Sequence, residues 1–303
     1  PNFTLGPLPQ DKQPFFRQLH DVAQLNQPVI QEFSKAYRKI AKEYDGDRFL
    51  MGEVSGDDGK AMLVSQTFTE PGRLHATYNF DLLEHGGLTV SEMKEAISNA
   101  IELFNGTGRL CFAFSNHDVP RSASRQLSPL GITLDKQDDL QLLLLQLETS
   151  LIGSCCIYQG EELGLSDVTN IQFDKMKDPW GLNFYPEFLG RDTCRTPMVW
   201  EKNKPMGGFT SANESWLPIS ELHMEKAGLD MANSEGSIYN KFSSFLKWRR
   251  KQPAMISSNK MSELFGGPSE IIFDRESETQ ILRCKFDFEL VKATFEEVTY
   301  GTS

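Results

Sequence analysis

Phe114-Ser115-Asn116-His117-Asp118 closes the apolar run Leu110-Cys111-Phe112-Ala113-Phe114. The run reads as a buried strand that stops on an imidazole and a carboxylate. A strand of this kind fixes the backbone in a core and projects its last side chains into a cleft. A second segment, Arg48-Phe49-Leu50-Met51-Gly52-Glu53-Val54, repeats the pattern and ends on Gly52-Glu53. Two strand ends that each deliver one carboxylate suit chemistry at a glycosidic bond.

Around these two segments the chain alternates strands and helices. A Pro-, Gln- and Asn-rich stretch over residues 1–25 reads as a surface loop. A helix follows from Asn26, with Val29, Ile30, Phe33, Tyr37, Ile40 and Ala41 along one face. His75 to Phe80 is a third candidate strand. The next helix starts at Thr89, whose spacing to Glu92 is that of a capping box, and ends near Asn105-Gly106. Asp138 to Ile152 is a Leu-rich helix leading into a strand from Ser154 to Tyr158. Four strand-helix units imply a parallel sheet with functional residues at the strand ends, so the fold class is α/β. No Gly-x-Gly-x-x-Gly follows a strand, which disfavours a dinucleotide fold. If the sheet belongs to a (β/α)8 barrel, four units make the second half of one.

Residues 160–235 form a long irregular stretch, the kind of loop that covers or walls a site. Gly236 to Lys251 is helical, with Arg249, Arg250 and Lys251 at the end where the helix dipole favours cations. Met261–Phe265, Glu270–Phe273 and Gln280–Phe286 are short strands, the last two joined by a polar turn over Asp274–Thr279. Residues 1–255 are therefore expected to be the barrel half, and residues 256–303 part of a small antiparallel β-sandwich-type domain.

The 303 residues carry a formal net charge of −11 and are 39% hydrophobic. No basic stripe is available to neutralise phosphates, so no nucleic-acid partner is expected. The longest apolar stretch, Leu140 to Tyr158, is interrupted by Gln141, Gln146, Glu148 and Gly153, so no membrane partner is expected either. The five cysteines follow no disulfide or metal-ligand spacing, which points to reduced thiols in the cytoplasm and to no metal site. The chain starts at Pro1 rather than methionine, so its natural N-terminus is expected to lie elsewhere, and a signal peptide could have been lost with it.

Four segments in this order and spacing resemble the family 13 glycoside hydrolases, the α-amylase family. They are Gly52-Glu53-Val54, Phe114-Ser-Asn-His-Asp118, Tyr158-Gln-Gly-Glu-Glu162-Leu-Gly164 and Gly190-Arg-Asp-Thr-Cys-Arg-Thr-Pro-Met-Val-Trp200. The last is most similar to the α-glucosidase and oligo-1,6-glucosidase branch. The resemblance implies a retaining hydrolase acting on an oligosaccharide or disaccharide with an α-glucosidic linkage. Glu53 would be the general acid/base and Asp118 the carboxylate that stabilises the transition state. His117 and Arg191 would hold the sugar, with Arg195 a further substrate-binding candidate. The chemistry needs no cofactor, and a calcium site of the wider family would lie mainly in the other barrel half.

The same residues have plainer readings. Arg191 and Arg195 could pair with Asp192 or Glu187 to hold the loop. Glu161 and Glu162 are expected to be structural, and Asp81 a packing residue. Trp180, Phe184, Tyr185 and Trp200 could wall a sugar or anchor the loop. The resemblance also implies a nucleophilic aspartate in a Gly-Phe-Arg-x-Asp-like segment, and the 303 residues contain none. This polypeptide is therefore expected to be a fragment without turnover alone. Isomerases and transglycosylases of the branch share every segment quoted, and non-catalytic relatives serve as partner subunits of membrane transporters.

Overall fold

The computed structural model describes residues 28–54, 61–103, 109–257 and 259–299. The expected loop over 1–25 and the helix end at Asn105-Gly106 lie outside them. The chain divides into two compact units, residues 1–80 with 102–111, and residues 81–101 with 112–303.

The first unit holds α1 (Pro28–Ala41), β1 (Met51–Gly52), α2 (Ala61–Phe68), β2 (Ala76–Tyr78) and the start of β3 (Leu110–Phe112). The strands run parallel, with Met51 opposite Ala76 and Thr77 opposite Leu110. A Cβ at Gly52 would come within 2.4 Å of Leu74 Cδ1, so a larger residue there would displace that side chain. α2 was not expected from the sequence. In α1 the apolar stripe faces out. Phe33, Tyr37 and Ile40 are exposed, while Ser34 is buried and Gln31 reaches Thr67 of α2.

The second unit begins just before α3 (Val90–Leu103), whose last two residues belong to the first unit. The expected capping box is present: the Thr89 N–H donates to Glu92 Oε2 at 2.8 Å, and the Glu92 N–H to Thr89 Oγ1 at 3.3 Å. Phe112, the end of β3, accepts a hydrogen bond from the Cys156 N–H next to β4 (Ser154–Cys155). Between them lie α4 (Ser122–Arg125) and α5 (Gln137–Ser150). The loop after β4 carries α6 (Pro179–Phe184), α7 (Glu221–Glu225) and α8 (Gly228–Asn233), and α9 (Ile238–Arg249) and α10 (Pro253–Ile256) follow. Leu145 of α5 packs on Ile238, Phe242 and Phe245 of α9.

A four-stranded antiparallel sheet completes this unit in the order β5 (Lys260–Met261), β6 (Glu270–Glu276), β7 (Ile281–Asp287), β8 (Lys292–Glu297). The polar turn is shorter than the sequence suggests. Asp274, Arg275 and Glu276 belong to β6, and the reversal is closed by Ser277 donating to the Gln280 carbonyl. These charged residues are tolerated in a strand because each has a partner. Asp274 takes both ends of the Arg283 guanidinium at 2.9 Å, and buried Arg275 donates to the Ser150 and Leu151 carbonyls. β8 was not expected either, and its Phe295 packs against Phe245 and Trp248.

On α5, Glu148 is 2% exposed, and burial holds its carboxyl well above the usual carboxylate range. The folded chain therefore keeps the proton that the unfolded chain releases above about pH 4.3. Stability from this residue is full below that pH and falls as pH rises, by about 1.4 kcal/mol per pH unit, until the folded carboxyl ionises. Glu148→Gln is expected to melt like the parent at pH 4 and above it at pH 7. Melting curves across that range that stay parallel would contradict this.

Candidate active site

The buried strand end of β3 is turned by Asn116. Its side-chain oxygen accepts the Asp118 N–H at 2.8 Å and the Val119 N–H at 3.1 Å, so the chain swings away and leaves Asp118 pointing out of the core. Just before it, Ser115 donates to Glu161 Oε1 at 2.7 Å, and the same oxygen accepts from Ser122 at 2.7 Å. Glu161 Oε2 takes the Tyr158 N–H. Glu161 is thus a buried brace for the strand end, and Glu162 caps Gly160 with burial raising its carboxyl pKa. Asp81 is half-buried, and burial, then the neighbouring Glu84, raises its pKa.

Asp118 meets three of the residues named from sequence. Arg191 Nη1 donates to its Oδ1 at 3.0 Å, Arg195 Nη2 donates to the same oxygen at 2.6 Å, and His117 Nε2 stands 3.6 Å from Oδ2. Arg195 Nε also donates to the His117 carbonyl at 2.6 Å. One carboxylate oxygen is therefore held by two guanidiniums. The other lies beside an exposed imidazole, so Oδ2 and the His117 ring form a polar edge.

The arginines are not paired with Asp192 or Glu187, as one sequence reading had it. Asp192 accepts the Lys177 and Asp178 N–H groups instead. Arg191 is held by Asp178, which caps α6 just ahead of Pro179. Asp178 accepts from Arg191 Nη2 at 2.8 Å, from Nε at 3.1 Å and from its backbone N–H at 2.7 Å. Trp180 stacks on the guanidinium, 4.3 Å from ring centre to Cζ. Burial works to raise the Asp178 carboxyl, but the Arg191 hydrogen bonds outweigh it and hold it below the usual range. The same hydrogen bonds, against burial, raise Arg191.

Asp178 was missed from sequence. Its visible signal, an Asp-Pro helix start, says nothing of the arginine 13 residues on. Asp167 was missed too. Both its oxygens accept the Arg121 N–H at 3.1 Å, pinning the chain three residues past Asp118, and burial pushes its carboxyl up to about 6. Buried Arg121 lies over the Tyr158 ring at 5.1 Å and donates to the Cys194 carbonyl, and Tyr158 donates to the same carbonyl.

Glu53 belongs to the first unit. It directly follows β1, is exposed, and lines a groove of about 480 Å³ with Phe33, Tyr37, Phe49 and Leu74. Among the described residues no group of three His, Cys, Asp or Glu side chains could hold a metal ion.

Comparison with known proteins places these residues in a family. Residues 8–258 match the family model described as alpha amylase, catalytic domain. A probable alpha-glucosidase of Rhizobium meliloti (strain 1021) is 38% identical over 231 residues, which are 76% of this chain and 40% of that protein. The oligo-1,6-glucosidase of Parageobacillus thermoglucosidasius is 26% identical over 72% of this chain and 42% of its own. Among solved structures, the alpha-glucosyl transfer enzyme XgtA superposes with a TM-score of 0.75 at 32% identity, covering 86% of this chain and 46% of that one. The chain spans less than half the length of these relatives. With its α/β fold, its C-terminal antiparallel sheet and a match over residues 8–258, the chain belongs to the alpha-amylase family.

Proposed function

We propose that this chain carries part of the active site of a retaining α-glucosidase-type glycoside hydrolase. Glu53 is the general acid/base, Asp118 stabilises the transition state, and His117, Arg191 and Arg195 hold the sugar. The observation that carries the reading is Asp118, fixed through one oxygen by two arginines and open through the other beside His117. An ionised carboxylate held in this way opposes the positive charge that develops on an oxocarbenium-like ring. The substrate class is an α-linked gluco-oligosaccharide or disaccharide, and no cofactor is part of the proposal. Residues 1–255 would form the second half of a (β/α)8 barrel, and 256–303 part of a C-terminal β domain. The five cysteines are free, which favours a reducing compartment such as the cytoplasm.

With no Gly-Phe-Arg-x-Asp-like segment in the 303 residues, the polypeptide alone is expected to release no p-nitrophenol from p-nitrophenyl α-glucoside. The test is a chimera in which this chain replaces the matched segment of the Rhizobium meliloti relative. Turnover of maltose or isomaltose by the folded chimera is expected. A folded chimera inert on both would sink the proposal.

A second reading, glucosyl transfer, is favoured by the likeness to an alpha-glucosyl transfer enzyme at 32% identity. Product analysis of the same chimera separates the two: free glucose means hydrolysis, and glucosylated acceptor means transfer. No helix among the described residues is long and apolar enough to cross a membrane.

A further inference from the structure

The hairpin that joins β7 to β8 ends on an apolar tip, Phe288-Glu289-Leu290-Val291. Asp287 holds the turn, one of its side-chain oxygens accepting the Glu289 N–H at 3.1 Å and the Leu290 N–H at 2.9 Å. Val291 follows at φ +49°, in the left-handed region. Glycine or asparagine normally takes that place in a hairpin, because a side chain branched at Cβ is crowded there. Leu290, one residue earlier, is 71% exposed. Turn chemistry calls for polar or permissive residues at both positions, and this chain has two apolar ones. A backbone conformation of this kind persists where binding uses it.

The tip borders a groove of about 620 Å³. Its walls come from the start of α3, the loop over 129–133 ahead of α5, and the hairpin itself, all parts of the second unit. Val90, Leu130, Ile132 and Phe288 make the lining largely apolar. Leu134, between the lining residues Thr133 and Lys136, is 73% exposed. A projection and a hollow thus lie side by side on one surface. The lining carries two charges, Lys136 on the α5 side and Glu289 on the hairpin. Among the described residues no ion pair joins them, and Lys136 has only an exposed contact of 3.4 Å with Asp139.

We infer that this surface pairs with a second copy of the chain about a two-fold axis, Leu290 of each copy entering the other's groove and Lys136 of each meeting the partner's Glu289. Two observations favour a copy of this chain as the occupant. A two-fold contact needs one patch that holds a projection, the hollow that receives it and charges of both signs, and this patch has all three. The chain also carries a formal net charge of −11, so two copies repel each other over most of their surface. They approach most readily where the local charges cancel, and Lys136 with Glu289 cancel here. A sugar or a short peptide would fill the hollow and leave the apolar tip in water. The pairing is independent of the proposed reaction, because none of its residues belongs to the candidate active site.

The test is sedimentation of the 303-residue chain over a range of concentrations. A dimer with a Kd of about 1–100 μM is expected, the strength of a small interface. Leu290→Asp should weaken it roughly 10-fold or more while leaving the melting temperature of the dilute chain within about 2 °C, because the side chain is mostly exposed. Leu290→Asn with Val291→Gly supplies ordinary turn residues. That variant should melt higher than the parent when dilute and still dimerise roughly 10-fold or more weakly. Charge reversal then checks the two-fold geometry. Lys136→Glu and Glu289→Lys should each weaken the dimer roughly 3-fold or more by setting like charges opposite each other. The double variant restores opposite charges across the axis and should associate like the parent. A chain that stays monomeric up to about 100 μM, a dimer that Leu290→Asp leaves intact, or a double reversal no better than the single ones would each overturn the inference. So would a monomer whose Leu290→Cys thiol is shielded from maleimide by maltose, which would assign the groove to a sugar.

Discussion

In the chimera with the Rhizobium meliloti relative, Glu53→Gln is expected to lower kcat on maltose by roughly 10²–10⁴-fold, the range that a positioned general acid/base contributes. The loss should depend on the leaving group. Cleaving maltose expels a sugar alkoxide that must be protonated as the bond breaks, and the variant has no proton to give. The p-nitrophenolate ion leaves without help, so formation of the glycosyl-enzyme from p-nitrophenyl α-glucoside should fall far less. Hydrolysis of that intermediate then becomes slow, because no base activates water, and an initial burst of p-nitrophenol should appear. Equal losses on both substrates without a burst would show that Glu53 only shapes the site.

Asp118→Asn makes the complementary case. Asn keeps the shape and an oxygen but removes the negative charge that the proposal sets against the oxocarbenium-like ring. Rates should fall by roughly 10²–10³-fold on both substrates alike, since the charge develops on the ring whatever the leaving group. The variant also leaves two guanidiniums facing a neutral amide, because Arg191 and Arg195 both donate to the oxygen concerned. The two variants thus differ in kind, and their leaving-group dependence tells the roles apart.

The parts of this arrangement that were legible in the sequence are local. The apolar run ending at Phe114 announces a strand, and Thr89 with Glu92 announces a helix start, because in both the deciding groups lie within a few residues. What was not legible depends on partners far along the chain. The ion pair of Arg191 with Asp118 spans 73 residues, and nothing near either residue names the other. The stripe on α1 was visible as a stripe, but periodicity carries no information on whether a cover exists. Asp274 to Glu276 look like a turn by composition and are held in a strand by Arg283, Ser150 and Leu151. Long-range charge pairing overrides local propensity there.

Asp178→Ala is expected to lower the melting temperature of the chain by roughly 5–8 °C, the shift that corresponds to breaking a buried ion pair from one side in a chain of this size. The Asp178 side chain is wholly inaccessible, and it answers two side-chain nitrogens of Arg191 together with that residue's backbone N–H. Removing it leaves a guanidinium that is only 22% exposed, under Trp180, answered by just the Asp118 oxygen it shares with Arg195. Arg191→Met in the same background should recover part of the loss, because the under-compensated charge is then gone and a flexible apolar side chain can pack on Trp180. The pH dependence checks the cause. Arg191 holds the Asp178 carboxyl below the usual range, so its contribution is full above the unfolded value of about 3.9 and is lost as pH falls through the lower folded value. Parent and Asp178→Ala should therefore differ most near neutrality and converge in acid. A gap that stays constant down to pH 3 would show that packing, and not the ion pair, is what Asp178 supplies. In the chimera the same substitution should raise KM for maltose more than it lowers kcat, since Arg191 would lose its fixed orientation while Asp118 keeps Arg195.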